Sequence, residues 1–403
     1  MRTRGELKSM QSLPLKYKIA MTERRIKEWY ESWVKFTIEN EKTGKQRFVT
    51  MCCTDYFDQP ELKADEWICD REPGQVYISF SGGKDLTVLL HIARQLYSDI
   101  KAVFIDTGLE YPEIRKFVKT FENVTVLRPK MKFPEVIKKY GYPIISKEVS
   151  EKVRKARQNI RDGKYSLRLC QLGVDPKEYG GLEVDERYDY FGAVEGSKFA
   201  TKKYRPLLEV DFLTSEECCL EMKKRVAEQF EQSTALVPIL AMMASESNKR
   251  LQGWLNTGCN AFESDRPQSN PLSFWMEQDI LEYIHIHRVE ICSVYGSVTY
   301  ADEPDQMRIE ETTDLLIGCD KLCTTGCHRT GCIFCAFGAQ SGGKGSDRFL
   351  MLKHTHPRQY EYCIGGGEYN KDGIWQPNKQ GLGLGHVFDT LNSIYGDDFI
   401  RYK

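Results

Sequence analysis

Ser81-Gly82-Gly83-Lys84-Asp85 stands between an apolar run, Val76-Tyr77-Ile78-Ser79-Phe80, and a stretch from Thr87 to Tyr97 with apolar residues at helical spacing. A short, nearly continuous apolar run reads as a strand buried on both faces, and such strands belong to parallel sheets covered by helices. The alternation continues: Ala102-Val103-Phe104-Ile105-Asp106 is a second strand, Glu113 to Thr120 a second helix, and Val124-Thr125-Val126-Leu127 a third strand. This order predicts an α/β fold with a doubly wound, mainly parallel sheet.

The turn after the first strand also carries chemistry. Two glycines let the backbone bend sharply, so that successive N–H groups point into one concavity. The following helix adds unsatisfied N–H groups and the positive end of its dipole. Ser81 brings a hydroxyl and Lys84 a cation, while Asp85 suits Mg²⁺ or a hydroxyl better than a phosphate. The result is an oxyanion cradle sized for phosphate or pyrophosphate. The string is neither the GxxxxGK[ST] P-loop nor the dinucleotide GxGxxG. Asp106, ending a buried strand, can accept from ribose hydroxyls or simply cap a helix.

The 403 residues allow two or three packed units. With 57 Lys+Arg against 58 Asp+Glu, the chain cannot bind nucleic acid by bulk charge. No stretch approaches the roughly 20 apolar residues of a membrane span. The first residues carry scattered charges and no apolar signal core, so a cytoplasmic, reducing location is expected. Residues 1–70 read as a helix (Leu13 to Val34) plus a hairpin about Thr43-Gly44. Residues 71–290 read as the nucleotide-binding domain, with helices over Glu148 to Asn159, Thr214 to Glu231 and Ser273 to Ile286, a buried strand over Leu236 to Met243, and an irregular insertion about 161–203. Residues 291–403 read as a cysteine-rich subdomain with a Gly-rich tail.

Ser81-Gly82-Gly83-Lys84-Asp85 resembles the SGGKDS signature of the PP-loop ATP pyrophosphatase (adenine nucleotide alpha-hydrolase-like) superfamily, with Leu86 in place of the usual serine. Asp106-Thr107-Gly108-Leu109-Glu110-Tyr111-Pro112-Glu113 is similar to the D-T-G-x-x-[FY]-P-E-T string of its phosphoadenosine phosphosulfate (PAPS) reductase-like branch. Cys218-Cys219 with Lys223-Lys224, and Glu246-Ser247 with Arg250, resemble that branch's later motifs in the same order. The resemblance implies a nucleotide, ATP or PAPS with Mg²⁺, at the carboxyl ends of the strands. It would be held by Ser81, Gly82, Gly83, Lys84, Asp85, Asp106, Thr107, Gly108 and Glu110, with Lys147 and Arg250 as further contacts and Lys84 and Asp85 in the catalytic roles.

Five of the 14 cysteines (Cys319, Cys323, Cys327, Cys332, Cys335) crowd one short segment. Cys327, Cys332 and Cys335 place three thiols in a tight region where Gly326 and Gly331 let the chain wrap an ion or cluster, and thiolates suit zinc or iron–sulfur centres. Sulfonucleotide reductases with a [4Fe–4S] cluster pair a Cys-Cys with a distant C-x2-C, and DndC-like enzymes of DNA phosphorothioation carry an arrangement similar to Cys327 through Cys335. The resemblance therefore implies a [4Fe–4S] cluster on four of Cys218, Cys219, Cys327, Cys332 and Cys335, with zinc or free buried thiols as the alternatives. Cys319, Cys323 and His328 rank second, and the remaining cysteines read as packing residues.

Two features separate the chain from a sulfonucleotide reductase. The last cysteine is Cys363, outside any ECGLH-like context, and the Gly-Gly-Lys turn is intact. The expectation is ATP cleaved between its α- and β-phosphates, giving an adenylated acceptor for sulfur transfer, in nucleic-acid modification or a defence system. Partners would be a sulfur donor such as a cysteine desulfurase, or thioredoxin, with DNA or tRNA as acceptor; no membrane is implied, and an oligomer stays open. One alternative is a thiol-dependent PAPS or adenosine phosphosulfate reductase that produces sulfite. The other is a non-catalytic nucleotide- or nucleic-acid-binding module, motivated by Leu86 and the basic stretch Lys152 to Arg157.

Overall fold

The computed structural model describes residues 2–55, 57–183, 201–301, 321–340 and 347–403; Cys319 and residues 184–200 of the anticipated insertion lie outside them. The chain forms two compact units, each stitched from separate stretches. The first comprises Met1–Asp106, Glu110–Leu127 and Ala227–Thr330; the second comprises Thr107–Leu109, Arg128–Val226 and Gly331–Lys403.

The first unit is built on a six-stranded sheet. Its strands are β1 (Val76–Ser79), β2 (Lys101–Ile105), β3 (Val124–Leu127), β4 (Val237–Ile239), β5 (Asn260–Ala261) and β6 (Gln268–Ser269), in the order β3-β2-β1-β4-β6-β5. All neighbours are parallel except the β5–β6 pair. The pleat explains why β1 is apolar almost throughout. Val76, Ile78 and Phe80 join one core with Val88, Leu89 and Ile92 of the Lys84–Leu96 helix and Phe117 of the Pro112–Val118 helix. Tyr77 enters a second cluster with Val103 and Leu236, where Phe230 of the Arg225–Thr234 helix meets its ring edge-on at 5.2 Å. Both faces are covered, so the α/β, mainly parallel fold read from the sequence is the fold observed.

From β1 the chain adds β2 and then β3 on one side, and returns to the other side of β1 as β4. Adjacent parallel strands whose connections leave in opposite directions open a crevice at their carboxyl ends. The Leu15–Ser32 helix closes the same core with Ile26 and Trp29, and its buried Lys18 is paired with Asp279 at 2.6 Å. The anticipated hairpin is present as Trp33–Asn40 and Gln46–Cys52, with Gly44 at φ +63°. A third strand, Glu66–Pro73, which the sequence reading did not separate, completes a small antiparallel sheet around Val34, Phe36 and Ile38.

In the second unit, helices Phe133–Tyr140, Lys147–Arg161, Arg348–Thr355, Pro357–Ile364 and Leu384–Tyr395 accompany a short parallel pair, Ile144–Ile145 with Ala336–Phe337. The helix expected over Thr214 to Glu231 starts later. Tyr142 N–H donates to Leu213 O and Ser215 N–H to Tyr142 O, so this backbone is spent on strand-like pairing before a π-helical turn, Leu220–Lys224, leads into the Arg225–Thr234 helix. The Gly-rich tail folds because its glycines permit close approach: a Cβ on Gly381 would sit 2.3 Å from Gly365 O. The basic stretch on the Lys147–Arg161 helix is largely neutralised within the unit. Lys152 pairs with Glu148, Arg154 with Glu216 and Glu217, and Lys155 with Glu151, while Arg157 donates to the carbonyls of Leu208, Val210 and Phe212. Among the described residues, no helix is long and apolar enough to cross a membrane.

Candidate functional site

The Gly turn leaves β1 into the crevice where the strand order reverses. Phe80 N–H still donates to Val103 O at 2.8 Å, after which Gly82 turns the chain at φ +71°. That left-handed conformation disfavours a side chain, and a Cβ there would also lie 2.9 Å from Val118 Cγ2. Gly83 is the N-cap of the Lys84–Leu96 helix, and no side chain caps that end. Lys84 N–H donates to Tyr295 Oη at 3.3 Å.

A cavity of about 260 Å³ opens here. The turn supplies Ser81, Gly83, Lys84 and Asp85; the chain leaving β4 supplies Leu240, Ala241 and Met242; beyond it come Glu246 and Arg250, and finally Tyr295, Arg329 and Thr330. Three cations thus line the cavity with two carboxylates, an arrangement suited to an anion. Lys84 is 4% exposed; its Nζ donates to His328 O at 2.8 Å and lies 3.2 Å from Glu277 and 3.9 Å from Asp85. Burial raises the pKa of Asp85 against the opposing pull of Lys84, Arg329 and Arg250, and its Oδ1 is buried without a hydrogen bond. Burial likewise lowers the pKa of Arg250. Both Arg250 and Arg329 pair with the mostly buried Glu246. Burial pushes Tyr295 up to about 12, so its hydroxyl keeps its proton at neutral pH and meets Thr330 Oγ1 at 2.5 Å.

Of the residues anticipated from sequence, Ser81, Gly83, Lys84, Asp85 and Arg250 therefore line one cavity, and Gly82 shapes its turn. Asp106 follows β2, outside that lining, and accepts from Arg115 Nη2 at 2.9 Å. Glu110 belongs to the first unit, just ahead of the Pro112–Val118 helix. Thr107 and Gly108 belong to the second, where Leu109 N–H donates to Thr107 Oγ1 at 3.2 Å and Gly108 has φ +76°. Lys147 is also in the second unit, beside Cys219. Sequence reasoning gave no role to Tyr295, Arg329 or Thr330, and took Glu246 only as part of the motif that carries Arg250. The available signal was the placement of Arg329-Thr330 directly ahead of Gly331-Cys332, a string read as part of a cluster-binding arrangement and not as an anion contact.

In the second unit, Cys218, Cys219, Cys332 and Cys335 line one small cavity with Leu109, Phe133, Pro143, Met222 and Lys223. Cys335 N–H donates to Cys332 O at 3.0 Å, closing the C-x2-C turn, and Ile333 N–H to Leu109 O at 2.7 Å. Cys219 is the thiolate of its pair: the hydrogen bond from Cys218, then the nearby Lys147 and Lys223, hold its pKa down to about 5, while Cys218 is pushed up. Burial raises Cys335. Cys327 belongs to the first unit and is half-buried. Among the described residues, no three His, Cys, Asp or Glu side chains are placed to hold a metal ion. The chemistry of the donor set nevertheless fits an anionic iron–sulfur cluster: four thiols share one cavity, with two lysines beside Cys219.

A doubly wound α/β domain with a cation-lined cavity at the reversal of its strand order is the class that fold and cavity define. Residues 75–167 match the phosphoadenosine phosphosulfate reductase domain family. An uncharacterized protein of Methanocaldococcus jannaschii is 42% identical over 135 residues, which is 32% of this chain and 25% of that protein. Sulfate adenylyltransferase subunit 2 of Proteus mirabilis is 25% identical over 220 residues, 54% of this chain and 58% of that subunit. The chain thus spans a quarter and somewhat over half of these relatives' own lengths. Among solved structures, PAPS reductase from Candida auris in a phosphate complex aligns over 54% of this chain and 75% of that one, at 13% identity and a TM-score of 0.29.

Proposed function

We propose that the chain binds ATP in the crevice and transfers its adenylyl group to an acceptor in a sulfur-transfer reaction. An acceptor oxygen attacks the α-phosphorus, the bond to the bridging α,β oxygen breaks, and pyrophosphate leaves. The observation that carries this reading is the intact Ser81–Asp85 turn, opening a helix N-terminus into a cavity with Lys84, Arg250 and Arg329 around it. Preorganised donors of this kind act on the charge that grows on the leaving pyrophosphate. Asp85, whose buried Oδ1 accepts no hydrogen bond, would hold Mg²⁺, which when bound would neutralise phosphate charge. The similarity to sulfate adenylyltransferase subunit 2 over 54% of the chain supports an adenylyl transfer, with sulfate, DNA or tRNA as the acceptors to try.

Cys218, Cys219, Cys332 and Cys335 would hold a [4Fe–4S] cluster, with Cys327 a further candidate; bound there, it supplies one-electron chemistry and inorganic sulfide. One observation favours a second reading, reduction of PAPS to sulfite: the domain family matched over residues 75–167 is that of PAPS reductase. Protein purified without oxygen distinguishes the two. Pyrophosphate release from Mg-ATP with an acceptor supports adenylation, whereas sulfite from PAPS and reduced thioredoxin, with ATP left intact, refutes it. Iron and sulfide analysis of the same preparation should return about four of each per chain; stoichiometric zinc without iron would overturn the cluster assignment.

A further inference from the structure

We infer that Arg329 is a pyrophosphate-binding residue of the crevice, supplied by the segment that runs into the C-x2-C turn. The inference rests on the reading of the crevice as an ATP site and adds a residue that no motif in the chain assigns.

The segment bearing Arg329 is fastened on both sides. Gly326 N–H donates to Tyr295 O at 2.9 Å and Cys327 N–H to Val294 O at 2.9 Å. His328 O accepts from Lys84 Nζ at 2.8 Å, and Thr330 Oγ1 meets Tyr295 Oη at 2.5 Å. These bonds hold the backbone of residues 326–330 at the cavity wall, while the guanidinium itself is 56% exposed. It is aimed at Glu246, the carboxylate that Arg250 also pairs with. Each guanidinium reaches one oxygen of this carboxylate through one nitrogen, as the two together would reach the oxygens of a phosphate. Glu246, 9% exposed and anchored by Met243 N–H at 3.0 Å, serves as the internal counter-ion that keeps both forks in the cavity wall.

The pairing of two cationic groups would select the ligand. The Gly turn with Lys84 accounts for one phosphate, and Arg250 with Arg329 forms a second cationic group lining the same 260 Å³. Two linked phosphates would engage both groups, whereas one orthophosphate would engage one of them. Arg329 therefore separates pyrophosphate-bearing ligands from those ending in one phosphate.

The test is calorimetric titration of the full chain with inorganic pyrophosphate, orthophosphate and ATP. Arg329→Ala should weaken pyrophosphate and ATP about tenfold to a hundredfold, the size of a lost charge-assisted hydrogen bond, and change orthophosphate about threefold or less. Arg329→Lys should recover only part of the loss, because a point charge replaces a fork. The double variant Glu246→Gln/Arg329→Ala should stay weak; if it regains wild-type affinity, Arg329 merely neutralises Glu246 and the assignment is wrong. Arg329→Ala binding pyrophosphate as tightly as wild type, at an unchanged Tm, refutes the inference while leaving the ATP site standing. If Arg329→Ala lowers the Tm, Arg329→Gln takes its place under the same criteria. A wild-type chain that binds neither pyrophosphate nor ATP removes the reading of the crevice, and this inference with it.

Discussion

Replacing Lys84 with Met tests the electrostatics of the crevice without any knowledge of its substrate. The side chain is 4% exposed, donates to His328 O at 2.8 Å and lies 3.9 Å from Asp85. At that separation an opposite pair interacts by about 4 kcal/mol for an effective dielectric constant near 20. The ammonium was itself taken out of water, so the net loss on substitution should be about 2 to 3 kcal/mol, including the carbonyl of His328 left without its donor. The deficit has a pH signature. Burial already raises the Asp85 pKa in the folded chain above its unfolded value, and Lys84 is the largest opposing influence. A group with a raised folded pKa contributes stability that is present below its unfolded pKa and lost as the pH rises through the folded one. Lys84→Met raises the folded pKa further, so its deficit against wild type should be small near pH 4 and widen toward pH 8. Denaturant unfolding followed by the fluorescence of the buried Trp29, Trp254 and Trp275 reads it directly. Adding Asp85→Asn should restore most of the stability at pH 8 and none of the affinity for ATP. A Lys84→Met deficit independent of pH, or a double variant no more stable than the single one, would refute the account of this pair.

Gly82→Ala should cost about 1 to 2 kcal/mol for the left-handed backbone plus the crowding against Val118 and Ile114; Gly108→Ala, with open space around its Cβ, should show the backbone cost alone. Scanning calorimetry should rank the two variants in that order, and equal shifts in Tm would show that the close approach to Val118 is not felt. In metal-free protein at pH 6, iodoacetamide should modify Cys219 ahead of the other cysteines, because a thiol with its pKa held down to about 5 is already ionised there. Cys218→Ala and Lys147→Met should each raise that pKa and slow the reaction at pH 6 while leaving it almost unchanged at pH 9; the same relative slowing at both values would remove the assigned cause.

The elements that were readable from sequence are those whose surroundings leave a local imprint. β1 is apolar at almost every position because helices cover both faces, and the Gly turn is recognisable because conformation and chemistry are concentrated in five adjacent residues. Glu66–Pro73 was not separated as a strand because much of it carries charged side chains toward solvent, leaving only a weak alternation about Ile68. The helix expected from Thr214 begins later because pairing with Tyr142, remote in sequence, takes its first residues. The tail read as Gly-rich packs helix Leu384–Tyr395 because its glycines meet backbone at positions that no single-sequence pattern reveals.

The same distinction separates the two halves of the crevice. Ser81 to Asp85 suggest an anion site by themselves, but the rest of the cavity is made of residues whose meaning is relational. Tyr295 is an ordinary tyrosine until its hydroxyl is seen to accept from Lys84 N–H and to meet Thr330. Glu246 would oppose an anion on its own; with Arg250 and Arg329 on either side it becomes the counter-ion that holds them in place. Topology brings these parts together. The strand order reverses only between β1 and β4, so the turn after β1 and the chain leaving β4 both empty into one crevice. Residues 326–330 close it from a distant part of the sequence, and the next residue begins the second unit, where Cys332 and Cys335 stand. The covalent path from this cavity to the thiols is thus two residues long, from Thr330 to Cys332.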